Sequence, residues 1–318
     1  AAAAPLIGGA ALADERRAFV LPGERPERSL GATMAWAEAQ AAHGDALEVH
    51  LLVDEHAGDL ARRASLFTDP PTVWQINGRS IRVADPAPVA DIGPLTPDAA
   101  ALGRVLEQAG LDVVVEHGCI VGEVLGLEVA RVVVDADGRA SIEVGVGRHD
   151  REAFAIVHGD LPTADALRSA IDTVSAQRRH DNPHHPLSQL ASERWLLDRS
   201  MRDPELFGSW PIARRAGTVA RESVKDVLPA LAAGLDGEGR AVMVAASVGV
   251  DVDLIPVAGD ARSAWDADAR LIVLVPERDA LGVTRRLASR LRRPAEVRTI
   301  TGDWRVPPTL GDDDRTTG

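Results

Sequence analysis

The chain has 318 residues, is 45% hydrophobic and 26% charged, and carries a net charge of −13. That balance excludes a disordered chain, the length predicts two or three domains, and the acidity argues against a protein that coats nucleic acid non-specifically. The single cysteine, Cys119, excludes an intrachain disulfide and points to a reducing, cytoplasmic setting, and no apolar run reaches the ~18–20 residues that cross a bilayer.

Ala1 to Ala13 lacks a basic, then long apolar, leader and reads as a frayed terminus. Arg17 to Leu21 reads as a strand, Ser29 as the N-cap of a helix to about Ala41, and Leu47 to Val53 as a half-buried strand by its alternation. A helix over Ala57 to Phe67 follows. Val73 to Ile76 and Arg79 to Val83 flank Asn77-Gly78, a hairpin signal because both turn residues need positive φ. Residues 85–96 are proline-rich and read as a linker.

Thr96 and Pro97 open the next helix and Gly110 stops it. Leu111 to Glu116 reads as a strand, and Val124 to Val134 with Ala140 to Val146 as a hairpin. Helices are expected at Asp150 to Val157, Thr163 to Gln177 and Pro186 to Met201. Beyond Ser223, a hairpin (Leu228 to Leu235, Arg240 to Ser247) leads into a helix after Asp253, a strand Leu271 to Val275, a helix Gly282 to Leu291 and a strand Glu296 to Ile300. The fold class is therefore α/β of the mixed α+β kind, with several small mixed sheets flanked by helices. The divisions are 14–84, a linker 85–96, 97–205 with the central hairpin, 222–302, and a tail 303–318 that reads as disordered from Gly311 onward, through Asp312, Asp313 and Asp314. Gly138-Arg139-Ala140 and Gly239-Arg240-Ala241, each with an aspartate (Asp150, Asp251) at the same distance, suggest an internal duplication.

The central hairpin carries the leading candidate chemistry. A two-residue turn at Asp137-Gly138, or one centred a residue earlier, places Glu128 and Glu143 on one face among Gly126, Ala130, Ser141, Gly145 and Gly147; a three-residue loop would separate them. Asp150, after Arg148-His149, could join them as a third oxygen ligand to a hard cation such as Mg²⁺, with Arg148, His149 and Arg151 facing a phosphate. This order of helix, three strands and helix over about 97–177, with an acid on the second and third strands, resembles the PD-(D/E)xK, or restriction-endonuclease-like, nuclease core. The resemblance implies a metal-dependent phosphodiester hydrolase, or a diverged inactive relative, using Glu128, Glu143, Asp150, Arg148 and His149. The family's Glu-x-Lys is here Glu143-Val144-Gly145, with Arg148 standing in for the lysine charge. The Ala-, Arg-, Gly- and Pro-rich usage, with Lys225 the only lysine, also resembles that of actinobacterial proteins.

A competing expectation is a non-enzymatic binding or scaffold protein that recognises a partner, nucleic acid or a phosphate-bearing anion through arginines. Its candidates are Arg25 and Arg28 before the first helix, and Arg285, Arg286, Arg290, Arg292 and Arg293. His180, Asp181, His184 and His185 read as a surface cluster, and Cys119 as a small packed thiol.

Overall fold

The computed structural model describes residues 2–6, 9–14, 16–23, 25–41, 48–90, 93–147, 150–151, 163–203, 212–221, 223 and 225–306. The first unit is a six-stranded sheet in chain order: β1 (Ala2–Leu6), β2 (Gly9–Ala13), β3 (Arg17–Pro22), β4 (Glu48–Val53), β5 (Thr72–Asn77) and β6 (Ser80–Val83). The alanine-rich start is thus not a frayed end, since β1 and β2 pair with each other and β2 with β3. Alternation is hard to see in a run of alanines, which hid both strands. Helices α1 (Leu30–Ala41) and α2 (Ala57–Ala64) return the chain between the parallel strands β3, β4 and β5. Ala57, Leu60, Ala61 and Ala64 recur on one face of α2 and are buried.

The central unit is an antiparallel meander of β7 (Asp112–Glu116), β8 (Cys119–Val124), β9 (Leu127–Val134) and β10 (Ala140–Val144). Against one face pack α3 (Pro97–Gln108) and α4 (Thr163–Gln177), burying Leu106, Leu167 and Val174 with Leu127, Val129 and Val132. The Thr96 hydroxyl accepts from Ala99 N–H at 3.2 Å, the expected cap. The expected helix from Pro186 to Met201 is broken in two, α5 (Pro186–Gln189) and α6 (Ser192–Met201), because Ala191 turns left-handed at φ 44°.

The third unit is a five-stranded sheet of β11 (Ile212–Arg215), β12 (Ala230–Leu235), β13 (Ala241–Ala246), β14 (Arg270–Pro276) and β15 (Glu296–Ile300), with α7 (Leu254–Trp265) and α8 (Gly282–Arg290) as crossovers. Its pairing is antiparallel, antiparallel, parallel, parallel, the same as β1 to β5. The topological repeat therefore relates the first and third units. The likeness of 138–150 to 239–251 is a shared turn: Asp135 and Asp236 each accept from the backbone two and four residues on.

The two repeats face each other helix to helix. Phe67 bridges Leu291, Thr68 N–H donates to Arg290 O at 3.0 Å, and Arg292 N–H donates to Leu66 O at 2.8 Å, a reciprocal pattern about a pseudo-two-fold axis. Segments that read as separate units thus share one core, with Leu51, Leu60, Val73, Leu254, Ile255, Val273 and Leu287 in a single cluster. Crossover helices that cover only one face of each sheet leave their own second faces apolar, and each unit satisfies the other's. Among the described residues no helix is long and apolar enough to cross a membrane.

Candidate functional site

The central hairpin differs from its expected form at both ends. Asp135 and Arg139 close a three-residue loop, Gly138 taking φ 80°, so that Glu143 sits opposite Arg131 and Val144 opposite Ala130. The expected two-residue turn is displaced because Asp135 Oδ1 binds the N–H groups of Asp137 and Arg139. Nor does the strand run from Val124 unbroken: Leu125 (φ 49°) and Gly126 (φ 76°) turn the chain between β8 and β9. A Cβ on Gly126 would lie 2.5 Å from the Arg194 carbonyl carbon, so only glycine fits there.

Regular alternation with this loop would place Glu128 and Glu143 on opposite faces. A bulge restores their company. Gly122 pairs with Ala130 but Glu123 with Glu128, leaving Val129 as an extra residue that re-aims Glu128. Both glutamates then meet, but on an arginine: Arg151 reaches Glu128 at 2.8 Å and Glu143 at 3.3 Å. Arg131 adds a bidentate pair to Glu128 at 2.9 and 3.0 Å. Ala130, expected beside the acids, faces the core.

Glu128 is buried, and its two oxygens are occupied by two guanidinium groups. Asp150 turns one oxygen to the N–H of Val146 at 2.6 Å. Arg148 and His149 lie outside the described residues. A magnesium ion would have to displace Arg131 and Arg151 from a site they already neutralise, so these residues do not fit the ion. Among the described residues no group of three or more His, Cys, Asp or Glu side chains is placed to hold a metal. Asp181 is held by Arg179 at 2.7 and 3.0 Å, and His185 Nδ1 accepts from Leu187 N–H. Cys119 donates to Val132 O at 3.2 Å, and burial pushes its thiol pKa up.

The arginines expected to face a ligand are largely bonded within the fold. Arg28 binds Asp251 at 2.7 Å and also Val227 O, Arg286 binds Glu38 at 2.7 Å, and Arg292 binds Ser65 O at 2.9 Å. Two further arginine networks went unread in the sequence. Glu123 is fully enclosed; burial would raise its pKa, but Arg214 and Arg194 hold it below the usual carboxylate value. That trio ties β8 to α6 and β11, joining the central and third units. Arg178 donates to the carbonyls of Leu125, Leu190 and Ala191 and lies over Trp195, and burial lowers its pKa to about 10. No sequence spacing announces either network, since the partners are up to 91 residues apart.

The two repeated sheets differ in what covers their outward faces. On the third unit, Ala232, Val244, Ala246, Ile272 and Leu274 are buried beneath Trp195, Leu196 and Leu197 of α6. Register fixes the equivalent positions on the first unit: Leu51 lies between Val20 and Val73 as Val273 lies between Ala245 and Val297. Leu12, Phe19, Leu21, His50 and Leu52 then take the places of those five. Among the described residues no helix lies on top. Leu12 and Leu21 are exposed, as are Ile81 and Val83 on β6. At the centre Phe19 stacks on His50 (centroids 4.7 Å apart), and Trp74 Nε1–H donates to His50 Nδ1 at 3.2 Å. No protein-family model, curated protein or solved structure matches the chain.

Proposed function

We propose that this chain is a non-enzymatic binding protein, a scaffold whose first unit offers the outward face of its sheet to a helix of a protein partner. One observation carries the reading: the five strands β1 to β5 match β11 to β15 in topology, most of the equivalent outward positions are apolar in both, and among the described residues a helix covers only one of the two faces. Large apolar patches on a folded surface mark interaction sites, and aromatic clusters at their centre supply most of the binding energy. Phe19, His50 and Trp74 form such a centre.

Area favours a helix over a second sheet. Five strands ~4.8 Å apart and ~5 residues long present roughly 400 Å², about half of the ~800 Å² per partner of a standard stable interface. A helix ~10 Å wide fits that width, as α6 does on the third unit. The metal-dependent hydrolase is the weaker reading, because the glutamates it needs are engaged by Arg131 and Arg151.

The test is photo-crosslinking from a residue placed at Ile81 in cell extract, with the crosslinked protein identified by mass spectrometry. The expected result is one helix-bearing partner, lost in Leu21→Asp and kept in Glu143→Ala. Self-association, or a partner insensitive to Leu21→Asp, counts against the proposal. Divalent-cation-dependent phosphodiester cleavage lost in Glu143→Ala would replace it with the hydrolase.

A further inference from the structure

The outward faces of the first and third units differ in height as well as in cover. Helix α6 lies over β12 and β13, and its Trp195, Leu196 and Leu197 are fully buried there. The floor beneath it is low, made of Ala232 on β12 with Val244 and Ala246 on β13. At the equivalent positions the first unit has Leu12 on β2 with Phe19 and Leu21 on β3, all three larger. One strand further on the change stops, since Ile272 and Leu274 are answered by His50 and Leu52, of similar size. The first unit is thus raised only along the track that α6 occupies on the third.

That ridge is fixed in place. Leu12 is 46% and Leu21 49% exposed, so both stand clear of the sheet, and Phe19 lies next to each of them. Phe19 is held by its stacking on His50, whose Nδ1 in turn accepts the Trp74 N–H. The space between a helix and a sheet fills to the density of an organic crystal, so volume supplied by the floor is withdrawn from the helix. On the third unit the floor supplies little, and α6 fills the rest with an indole and two leucines. On the first unit the floor itself supplies two leucines and a phenyl ring. A helix with large side chains would ride high on that ridge and lose contact with Phe19 and the strands beyond.

Resting on the reading that this face receives a helix, we propose that it selects one whose contact strip is built of small residues. Alanine comes first, since it alone combines low bulk with full helix propensity, and glycine or serine follow. The strip is the inverse of α6. It needs no polar group at its centre, because Trp74 satisfies His50 Nδ1 and the exposed Glu48 stands 3.7 Å from Nε2.

The experiment is display selection. A three-helix-bundle library, randomised along one helix face, is panned against the full chain, and binders lost on Leu21→Asp are sequenced. Small residues should fill the randomised strip, and returning two of them to leucine should weaken binding about tenfold. The converse variant, Leu12→Ala with Leu21→Ala, gives the first unit the low floor of the third. Both side chains are exposed, and a thermal melt establishes that the variant is folded. Selection against it should move to leucine, methionine and tryptophan at the same positions. Leu21-sensitive binders with large residues in the strip overturn this proposal and leave the docking face standing. So does a strip that is the same against the parent and the double variant. Absence of any Leu21-sensitive binder overturns the docking face itself, and this proposal with it.

Discussion

Asp253 should make the fold less stable at neutral pH than at mildly acid pH. The carboxylate stands at the N-cap of its own helix, α7, but it accepts no hydrogen bond there. It reaches across the pseudo-two-fold axis and accepts from Gly31 N–H of α1 at 2.7 Å, while Ser29, the expected cap, donates its hydroxyl to Pro26 O. Burial pushes Asp253 up to about 6, against the opposing pull of the Gly31 bond. A folded pKa above the unfolded 3.8 means that the folded protein holds a proton that the unfolded chain has released. This contribution is fully present below about pH 4 and is lost as pH rises through about 6. The difference of ~2.2 units corresponds to about 3 kcal/mol of cost once the group is ionised. Asp253→Asn keeps an acceptor for Gly31 and has no charge to bury. Urea unfolding should therefore find it about 3 kcal/mol more stable than the parent at about pH 8, with the gain vanishing near pH 4. Carboxylates elsewhere affect both proteins alike and cancel in the difference. A gain independent of pH, or a loss at about pH 8, would refute the reasoning.

The same junction predicts that Gly31→Ala is poorly tolerated, since its Cβ would stand 2.0 Å from Val252 O, within the backbone of the opposite repeat. A loss above about 3 kcal/mol is expected in urea unfolding, and a loss under about 1 kcal/mol would mean that the repeats are not so closely joined. Glu128→Ala leaves Arg131 and Arg151 without their shared carboxylate and should cost about 3–5 kcal/mol, whereas Glu143→Ala, at a side chain 49% exposed, should cost under about 1 kcal/mol. Magnesium should not shift the melting temperature of the parent protein; equal losses in the two variants, or a magnesium-dependent shift, would speak for a cation site.

Local signals in the sequence were legible where one residue type has one physical use. Asn77-Gly78, Thr96-Pro97, the alternation over β4 and the continuous apolar run of β14 all lead to the observed elements. The candidate site was legible only in part. That Glu128 and Glu143 come together could be read, but the reasons for it could not. A three-residue loop and a bulge at Val129 each reverse the face, and the two reversals cancel. Leucine at φ 49° gives no warning of the turn at Leu125. The partner of the glutamates, Arg151, lies 23 residues from Glu128 and carries no spacing signature. The shared core of the first and third units was also hidden, because periodicity tells which face of a helix is apolar but not what will cover it.

The reciprocal pairing at Phe67 and Leu291 has a consequence for synthesis on the ribosome. The chain emerges N-terminus first, so the first repeat, whose last core residue is Ala84, leaves the exit tunnel well before Leu231 to Leu291, the segment that completes its core. Throughout that interval the apolar sides of α1 and α2 have no native cover, while the central meander, whose cluster among the described residues draws on 95–191, can close as soon as it is made. Folding should thus begin in the middle of the chain and finish at both ends together. A ribosome stalled before α8 would hold a protected centre between a protease-sensitive beginning and an unfinished end.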